Sequence, residues 1–170
     1  MLRSLVFALV LALSATGAWA DRREDCNQSA DLDRRISGCT SIIERGEKEP
    51  QKNRAAAYIN RGNAYVEKGE VDRAIVDYTK VIEINPNDDD GYNNRGIVYG
   101  MKGEFDRAIA DFNKAIALNP KSVGAYNNRG YAYEKKGDKE QAIADLRKAL
   151  EIDPSHQNAK DNLKALGVTP

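Results

Sequence analysis

The sequence is poor in the side chains from which catalytic and metal sites are usually built. Its 170 residues include one histidine and two cysteines, and 26 basic residues balance 26 acidic ones. One histidine and two cysteines do not make up a zinc ligand set. Balanced charge creates no field that attracts nucleic acid or an anionic membrane surface. No glycine-rich phosphate loop is present. We therefore expect no enzyme, metal, cofactor or nucleic-acid partner.

Two local features could suggest a reactive site, and both have a simpler explanation. His156 follows an Asp-Pro pair at a predicted turn, where we expect a solvated cap residue. Asp88, Asp89 and Asp90 precede Gly91 and superficially resemble a calcium-binding loop. They lack the alternating ligands and the terminal glutamate of that loop. Capping of a helix N-terminus explains these acidic residues better.

A long apolar run occurs only at the N-terminus. Arg3 precedes it, residues 5–13 are almost entirely apolar, and Ala18-Trp19-Ala20 ends the segment. This pattern predicts a signal peptide over residues 1–20, cleaved after Ala20. A permanent membrane anchor is the alternative, but a spanning helix needs roughly 20 apolar residues. We expect an exported protein, periplasmic or secreted, with no stable membrane anchor after cleavage.

The two cysteines, Cys26 and Cys39, are an even number in a chain predicted to enter an oxidising compartment. This favours a disulfide between them. Two free buried thiols are the alternative. A redox-active pair is disfavoured because the spacing is not Cys-x-x-Cys.

The most informative feature of the sequence is an internal repeat of 34 residues. Three segments, 55–88, 89–122 and 123–156, align without gaps. Such self-similarity is the signature of a repeat architecture. The aligned columns include Tyr58/Tyr92/Tyr126, Gly62/Gly96/Gly130, Tyr65/Tyr99/Tyr133, Ala74/Ala108/Ala142 and Pro86/Pro120/Pro154.

Each repeat is predicted to contain two helices. Tyr58, Gly62 and Tyr65 are three or four residues apart, which places them on one face of the first helix. A glycine follows, as is typical of a helix C-terminus. The second helix then ends before the proline, which disfavours helical geometry in the residue preceding it.

These columns resemble the tetratricopeptide repeat (TPR), and the resemblance covers residues 55–156. It implies an all-α fold, an α-solenoid of stacked antiparallel helix pairs (the TPR superhelix). Together with the predicted signal peptide, we expect an exported bacterial protein of this kind. The first helices would form a concave face, and the end repeats would need caps. Residues 55–88, 89–122 and 123–156 are then TPR 1, 2 and 3. We expect residues 157–170 to form a C-terminal capping helix and tail.

Residues 21–54 align more weakly and predict a degenerate N-terminal capping helix pair. Cys26 and Cys39 fall in the columns of Tyr65 and Tyr78, which are core positions on opposing helices, so a bridge between them fits. Arg35 occupies the alanine column and no glycine is available. We therefore expect these two helices to pack less closely.

Two charged columns depart from the family pattern in all three repeats. Arginine stands where the family usually has leucine, and aspartate stands where it often has an aromatic residue. We interpret them as structural ion pairs that join the two helices of each repeat. An arginine ladder that binds an acidic ligand is the alternative. The residues are Arg61 and Asp77, Arg95 and Asp111, and Arg129 and Asp145.

The resemblance also places candidate binding residues on the concave face. Asparagine amides can donate to and accept from a peptide backbone, and the apolar members could form pockets. A solvated helix face without a ligand is the alternative. The predicted groove residues are Ile59, Asn60, Asn63, Asn93, Asn94, Ile97, Met101, Asn127, Asn128 and Tyr131.

The family has a known dicarboxylate clamp, which combines asparagines with lysine and arginine to grip chaperone C-termini. This sequence keeps Asn63 and Asn94 at matching places but has Ile59, Gly124 and Asn128 where the cations belong. Capture of an acidic C-terminal tail is therefore disfavoured.

We expect a non-catalytic protein–protein interaction scaffold that binds a polypeptide segment in its concave groove. A self-associating component of a larger periplasmic or envelope assembly, and hence a homo-oligomer, is the alternative.

Overall fold

The computed structural model describes residues 22–170, and all regular secondary structure within them is helical. The predicted signal peptide, residues 1–20, lies outside the described residues. No helix in residues 22–170 is long and apolar enough to cross a membrane. The helices belong to two compact units, one ending at Asp77 and the other beginning at Tyr78. The prediction of an all-α fold is confirmed.

In residues 22–77, the described part of the first unit, the structure has three helices and the start of a fourth. Residues 22–28 form α1, and α2 packs against α3 around the core residues Cys26, Cys39, Ile42 and Ala57. A short 3-10 turn, Gly46–Lys48, separates α2 from α3. Pro50 directly precedes α3, so this helix begins earlier than the repeat boundary predicted at residue 55. The bounds are α2 (Leu32–Ile43), α3 (Gln51–Glu67) and α4 (Val71–Ile84), and α4 runs on past the end of the unit.

A disulfide joins Cys26 of α1 to Cys39 of α2, and both residues are buried. The expectation of loose packing between these helices is wrong, because Gly38 lets them approach closely. A Cβ atom at Gly38 would lie 2.6 Å from the carbonyl oxygen of Arg22 and 2.8 Å from the amide nitrogen of Cys26. The glycine was missed because it lies beside Cys39 and not in the aligned glycine column.

The second unit continues with five helices that form successive hairpins. α5 packs against α6 and α7 against α8, while α6 contacts α7 and α8 contacts α9. Gly103 and Gly137 end the first helix of their hairpins in left-handed conformations, with φ of 76° and 84°. The bounds are α5 (Asp89–Met101), α6 (Phe105–Leu118), α7 (Val123–Lys136), α8 (Lys139–Ile152) and α9 (Gln157–Ala165).

The glycine column inside these hairpins has a packing role. A Cβ atom at Gly96 of α5 would lie 2.7 Å from the ring of Phe112 on α6. At Gly130 of α7 it would lie 3.0 Å from the side chain of Leu146 on α8. The absence of a side chain at these positions lets the large apolar residues of the second helix lie against the backbone of the first. That close contact fixes which face of α5 and α7 remains exposed.

Candidate peptide-binding site

The side chains of the arginine column form ion pairs within their own repeats. Nε and Nη2 of Arg61 donate to the two carboxylate oxygens of Asp77, each at 2.8 Å. Arg95 makes the same bidentate contact with Asp111 at 2.8 Å. Arg129 does so with Asp145 at 2.7 Å. The three aspartates are buried. A bidentate arginine–carboxylate pair forms two strong hydrogen bonds with a fixed geometry. These pairs therefore connect the first and second helices of each hairpin.

The third nitrogen of each guanidinium contacts the preceding hairpin. Arg61 Nη1 donates to Thr40 at 2.9 Å and Arg95 Nη1 donates to Thr79 at 3.1 Å. Arg129 Nη1 donates to Asn113 Oδ1 at 2.6 Å. These acceptors were not predicted from the sequence, although a polar residue sixteen positions before Arg95 and Arg129 was the available signal. These contacts direct Nε, Nη1 and Nη2 of each arginine to acceptors within the protein.

A second arginine column, which sequence analysis also missed, lies over the tyrosines of α3 and α5. The guanidinium of Arg73 is 4.0 Å from the ring centroid of Tyr65, and that of Arg107 is 3.9 Å from the ring of Tyr99. Such stacking is a favourable cation–π arrangement. The repeated spacing of eight residues was the signal for it. In the third repeat the column holds Gln141 instead.

Most of the predicted groove asparagines bond to other asparagines of neighbouring helices. The amide of Asn128 donates to Asn93 Oδ1 at 3.2 Å, which links α7 to α5. Asn127 is only 7% exposed, and it accepts a hydrogen bond of 3.1 Å from Asn162 of α9. In the first unit, Asn60 donates to Asn27 Oδ1 at 3.0 Å. These amides therefore hold helices together, and Asn127 is not an accessible ligand-binding group.

The remaining predicted polar residues are more accessible. Asn63 is exposed on α3, beside the half-buried Ile59. Asn94 is half-buried on α5, and the structure shows no hydrogen bond to its side chain within residues 22–170. An amide without an internal partner can donate to one backbone group of a ligand and accept from another. Among the predicted groove asparagines of the second unit, Asn94 is thus the one whose side-chain amide has no hydrogen bond within the described residues and could bond to a ligand.

Three of the four apolar residues predicted for the groove, all except Ile59, line one cavity between α5, α6 and α7. It has a volume of about 290 Å³ and a mainly apolar lining. Ile97, Met101 and Tyr131 are 37%, 56% and 44% exposed, which is unusual for side chains of this size. The lining residues are Ile97, Gly100, Met101, Phe112, Asn128, Tyr131 and Ala132.

The rim of the cavity has little unbalanced charge on the α7 side. The ammonium group of Lys135 lies 4.8 Å from the ring centroid of Tyr131 and 3.2 Å from the carboxylate of Glu134. Glu134 raises the pKa of Lys135, through its hydrogen bond and its charge, so the lysine stays protonated and paired. Within residues 22–170, no three potential metal ligands come together. The cavity is an apolar recess between helices, and a single side chain of a ligand could enter it.

This fold defines an all-α helical-repeat protein, in which an apolar recess between α5, α6 and α7 is exposed. The chain belongs to the tetratricopeptide repeat family. A family model described as TPR repeat matches residues 62–103 and 101–137, and one described as tetratricopeptide repeat matches residues 123–156.

Solved structures of TPR domains resemble this chain. The first TPR of Spaghetti (RPAP3) bound to the HSP90 peptide SRMEEVD is 32% identical, with a TM-score of 0.64 over 66% of this chain and 90% of that one. The Arabidopsis OM64 TPR domain is 30% identical, with a TM-score of 0.67 over 69% of this chain and 98% of that one. MamA shares the fold at 22% identity, with a TM-score of 0.72 over 86% of this chain and 85% of that one. No curated protein sequence matches the chain.

Proposed function

We propose that this protein is a non-catalytic interaction scaffold that binds an extended segment of another polypeptide across α5 and α7. The observation that supports this most is the open apolar cavity, which is lined by Ile97, Met101 and Tyr131. Burying one aliphatic or aromatic side chain there would contribute about 1.5–3 kcal/mol. Asn94 lies one turn before Ile97 and would bond to the backbone of the segment.

A similar domain with a bound ligand supports a peptide as the partner, but not the same peptide. The RPAP3 domain is seen with the HSP90 peptide SRMEEVD. In this chain Ile59, Gly124 and Asn128 stand where the family's dicarboxylate clamp has its cations, and Asn128 is bonded to Asn93. A partner that relied on terminal carboxylates would lack its main contacts here. We therefore infer a segment recognised through an apolar side chain.

A substitution that fills the cavity tests the proposal without removing an existing contact. Gly100 lines the cavity, and a Cβ atom there would have no neighbour within 4 Å. Gly100→Leu should block the cavity while improving the helix propensity of α5. The matched control is Ala144→Leu, on the exposed face of α8 and away from the cavity lining. Both variants add a leucine to a helix, but only one occupies the recess.

Binding of the purified protein would be measured on an array of random-sequence peptides that have no fixed structure when free. We expect Gly100→Leu to weaken binding of the selected peptides about tenfold or more, since an apolar anchor loses its pocket. Ala144→Leu should bind as the unchanged protein does. Equal binding by the two variants, or an array without any bound peptide, would overturn the proposal.

A further inference from the structure

The cavity lies at one end of a stripe along α5 whose other end is an acidic side chain. Asp90, Asn94, Ile97 and Met101 follow one another at steps of three or four residues, which places them on one side of the helix. Asp90 and Ile97 are two turns apart, or about 10.5 Å along the axis. An apolar contact point and a carboxylate thus share one surface.

Asp90 differs from its two acidic neighbours in having no partner. Asp88 accepts a hydrogen bond of 2.8 Å from the amide of Gly91, and Asp89 accepts one of 2.8 Å from the side chain of Asn119. The described part of the chain gives Asp90 no ion pair and no hydrogen bond to its side chain. Partial burial, and then the charges of Asp89 and Asp88, raise its pKa. The side chain of Asp90 is exposed, so a ligand can reach its carboxylate, and a bound cation would offset the repulsion from Asp89 and Asp88.

The opposite side of the groove does not supply that cation. Gly124 holds the same place on α7 that Asp90 holds on α5, and it has no atom within 4 Å of its Cβ position. Lys135 is paired with Glu134 at the far end of α7. The charge left unbalanced along the stripe is therefore negative.

We propose that the segment bound in this groove is basic: an arginine or lysine pairs with Asp90 while an apolar side chain three residues away enters the cavity beside Ile97. In a polyproline II chain, the first and fourth side chains lie on the same face about 9 Å apart, which matches the separation of roughly 10 Å between the two contact points on α5. This inference rests on the proposed peptide-binding function. It gives the groove a charge preference opposite to that of an acidic peptide such as SRMEEVD.

The peptide array supplies the first test. Peptides bound by the protein should be enriched in arginine or lysine three positions from leucine, isoleucine, methionine, phenylalanine or tyrosine. Each selected peptide is then remade with its basic residue changed to glutamine and to glutamate. Glutamine should weaken binding about threefold and glutamate by more, as expected for loss and reversal of a partly exposed ion pair. Enrichment of acidic residues at that position would overturn the inference.

Charge variants of the protein supply the second test. Asp90→Asn should weaken binding of the basic peptides about threefold, and Asp90→Lys should make the glutamate peptides the better ligands. Glu140→Gln is the matched control, because it makes the same change in net charge on the first turn of α8. The effects of the two Asp90 substitutions on affinity should decrease as the salt concentration is raised, since screening weakens the interaction between exposed charges.

The two proposals fail separately. If Gly100→Leu abolishes binding while Asp90→Asn and Asp90→Lys leave every affinity unchanged, the groove binds peptides and the basic partner is wrong. If Asp90→Asn and Glu140→Gln weaken binding equally, only net charge matters and the inference is also wrong. If Gly100→Leu binds as well as Ala144→Leu does, the proposed function itself falls.

Discussion

Arg95 shows how one side chain can connect two hairpins. Its guanidinium is bidentate to Asp111 of the same hairpin and also contacts Thr79 of the preceding helix. The hydrogen bonds to Asp111 raise the pKa of Arg95. The side chains of Arg95 and Asp111 are 18% and 9% exposed, so neither charge is well hydrated. Removal of one partner leaves the other charge largely out of water, which is costly.

Arg95→Leu should therefore lower the free energy of unfolding by about 3 kcal/mol. Adding Asp111→Tyr should restore most of that loss, because the apolar pair no longer contains an unpaired carboxylate. Urea denaturation of the two single variants and the double variant gives the coupling between the positions. Purely additive unfolding energies would contradict the pairing.

Glu49 is a further buried charge, and it was not predicted from the sequence. Its side chain is 1% exposed, and its carboxylate accepts hydrogen bonds from Arg23 at 2.6 Å and from Asn53 at 2.5 Å. Arg45 lies 3.4 Å away. Burial acts to raise the pKa of Glu49, but Asn53, Arg23 and Arg45 outweigh it, so the pKa lies below its usual value of 4.5. The ionised carboxylate therefore holds α1, the end of α2 and the start of α3 together.

A lowered pKa makes this contribution depend on pH. The ionised Glu49 stabilises the fold fully above the unfolded pKa near 4.5, and the contribution is lost as pH falls through the lower folded value. Glu49→Gln should cost about 2 kcal/mol at pH 7, and the difference from the unchanged protein should shrink below about pH 4. Urea unfolding from pH 7 to pH 3, with Glu140→Gln as the control, measures it. A difference that stays constant over this range would rule the mechanism out.

Helix α5 has two glycines one turn apart whose surroundings differ. Gly96 faces α6, where a Cβ atom would lie 2.7 Å from the ring of Phe112, whereas Gly100 faces open space. The first glycine is required by close packing of the hairpin. The second one leaves room in the cavity.

The same substitution at these two positions should have opposite effects. Gly100→Ala should stabilise the protein by about 1 kcal/mol, since alanine has the higher helix propensity and meets nothing. Gly96→Ala should destabilise it by about 1–2 kcal/mol, because overpacking against Phe112 outweighs the gain in propensity. Thermal and urea unfolding of the two variants compare them directly. Stabilisation by Gly96→Ala would mean that the hairpin can open to admit a methyl group.

At the scale of the whole molecule, we propose that the protein is exported and that residues 1–20 are then removed. A positive start, a short apolar run and small residues ending at Ala20 support this. The disulfide between Cys26 and Cys39 is also typical of an oxidising compartment.

Cleavage has a simple optical consequence. Trp19 is the single tryptophan of the chain and precedes the predicted cleavage site. Protein recovered from the periplasm should begin at Asp21 and show tyrosine emission without tryptophan emission. N-terminal sequencing and fluorescence measure this, with unprocessed full-length protein as the control. Tryptophan emission from the recovered protein would exclude the proposed cleavage.

The helical hairpins could be predicted from the sequence alone, because the same residue types recur every 34 residues. Repetition of Tyr, Gly, Ala and Pro reports local backbone geometry and the faces that must be buried, so the all-α repeat fold could be predicted. The pairing of Arg95 with Asp111 could be proposed for the same reason, because both residues depart from the family pattern together. The periodicity also placed Ile97 on the exposed face of α5.

Only the tertiary structure decided which of these groups stay accessible, because accessibility depends on segments that are distant in sequence. Asn94 and Asn128 hold the same position in the repeat, yet Asn128 donates to Asn93 of α5, while Asn94 has no side-chain hydrogen bond within residues 22–170. Gly38 lies outside the glycine column and Glu49 has no counterpart in the three repeats, and the roles of both follow from contacts with α1. A periodic pattern gives the face of a helix, but its neighbours decide what that face can still bind.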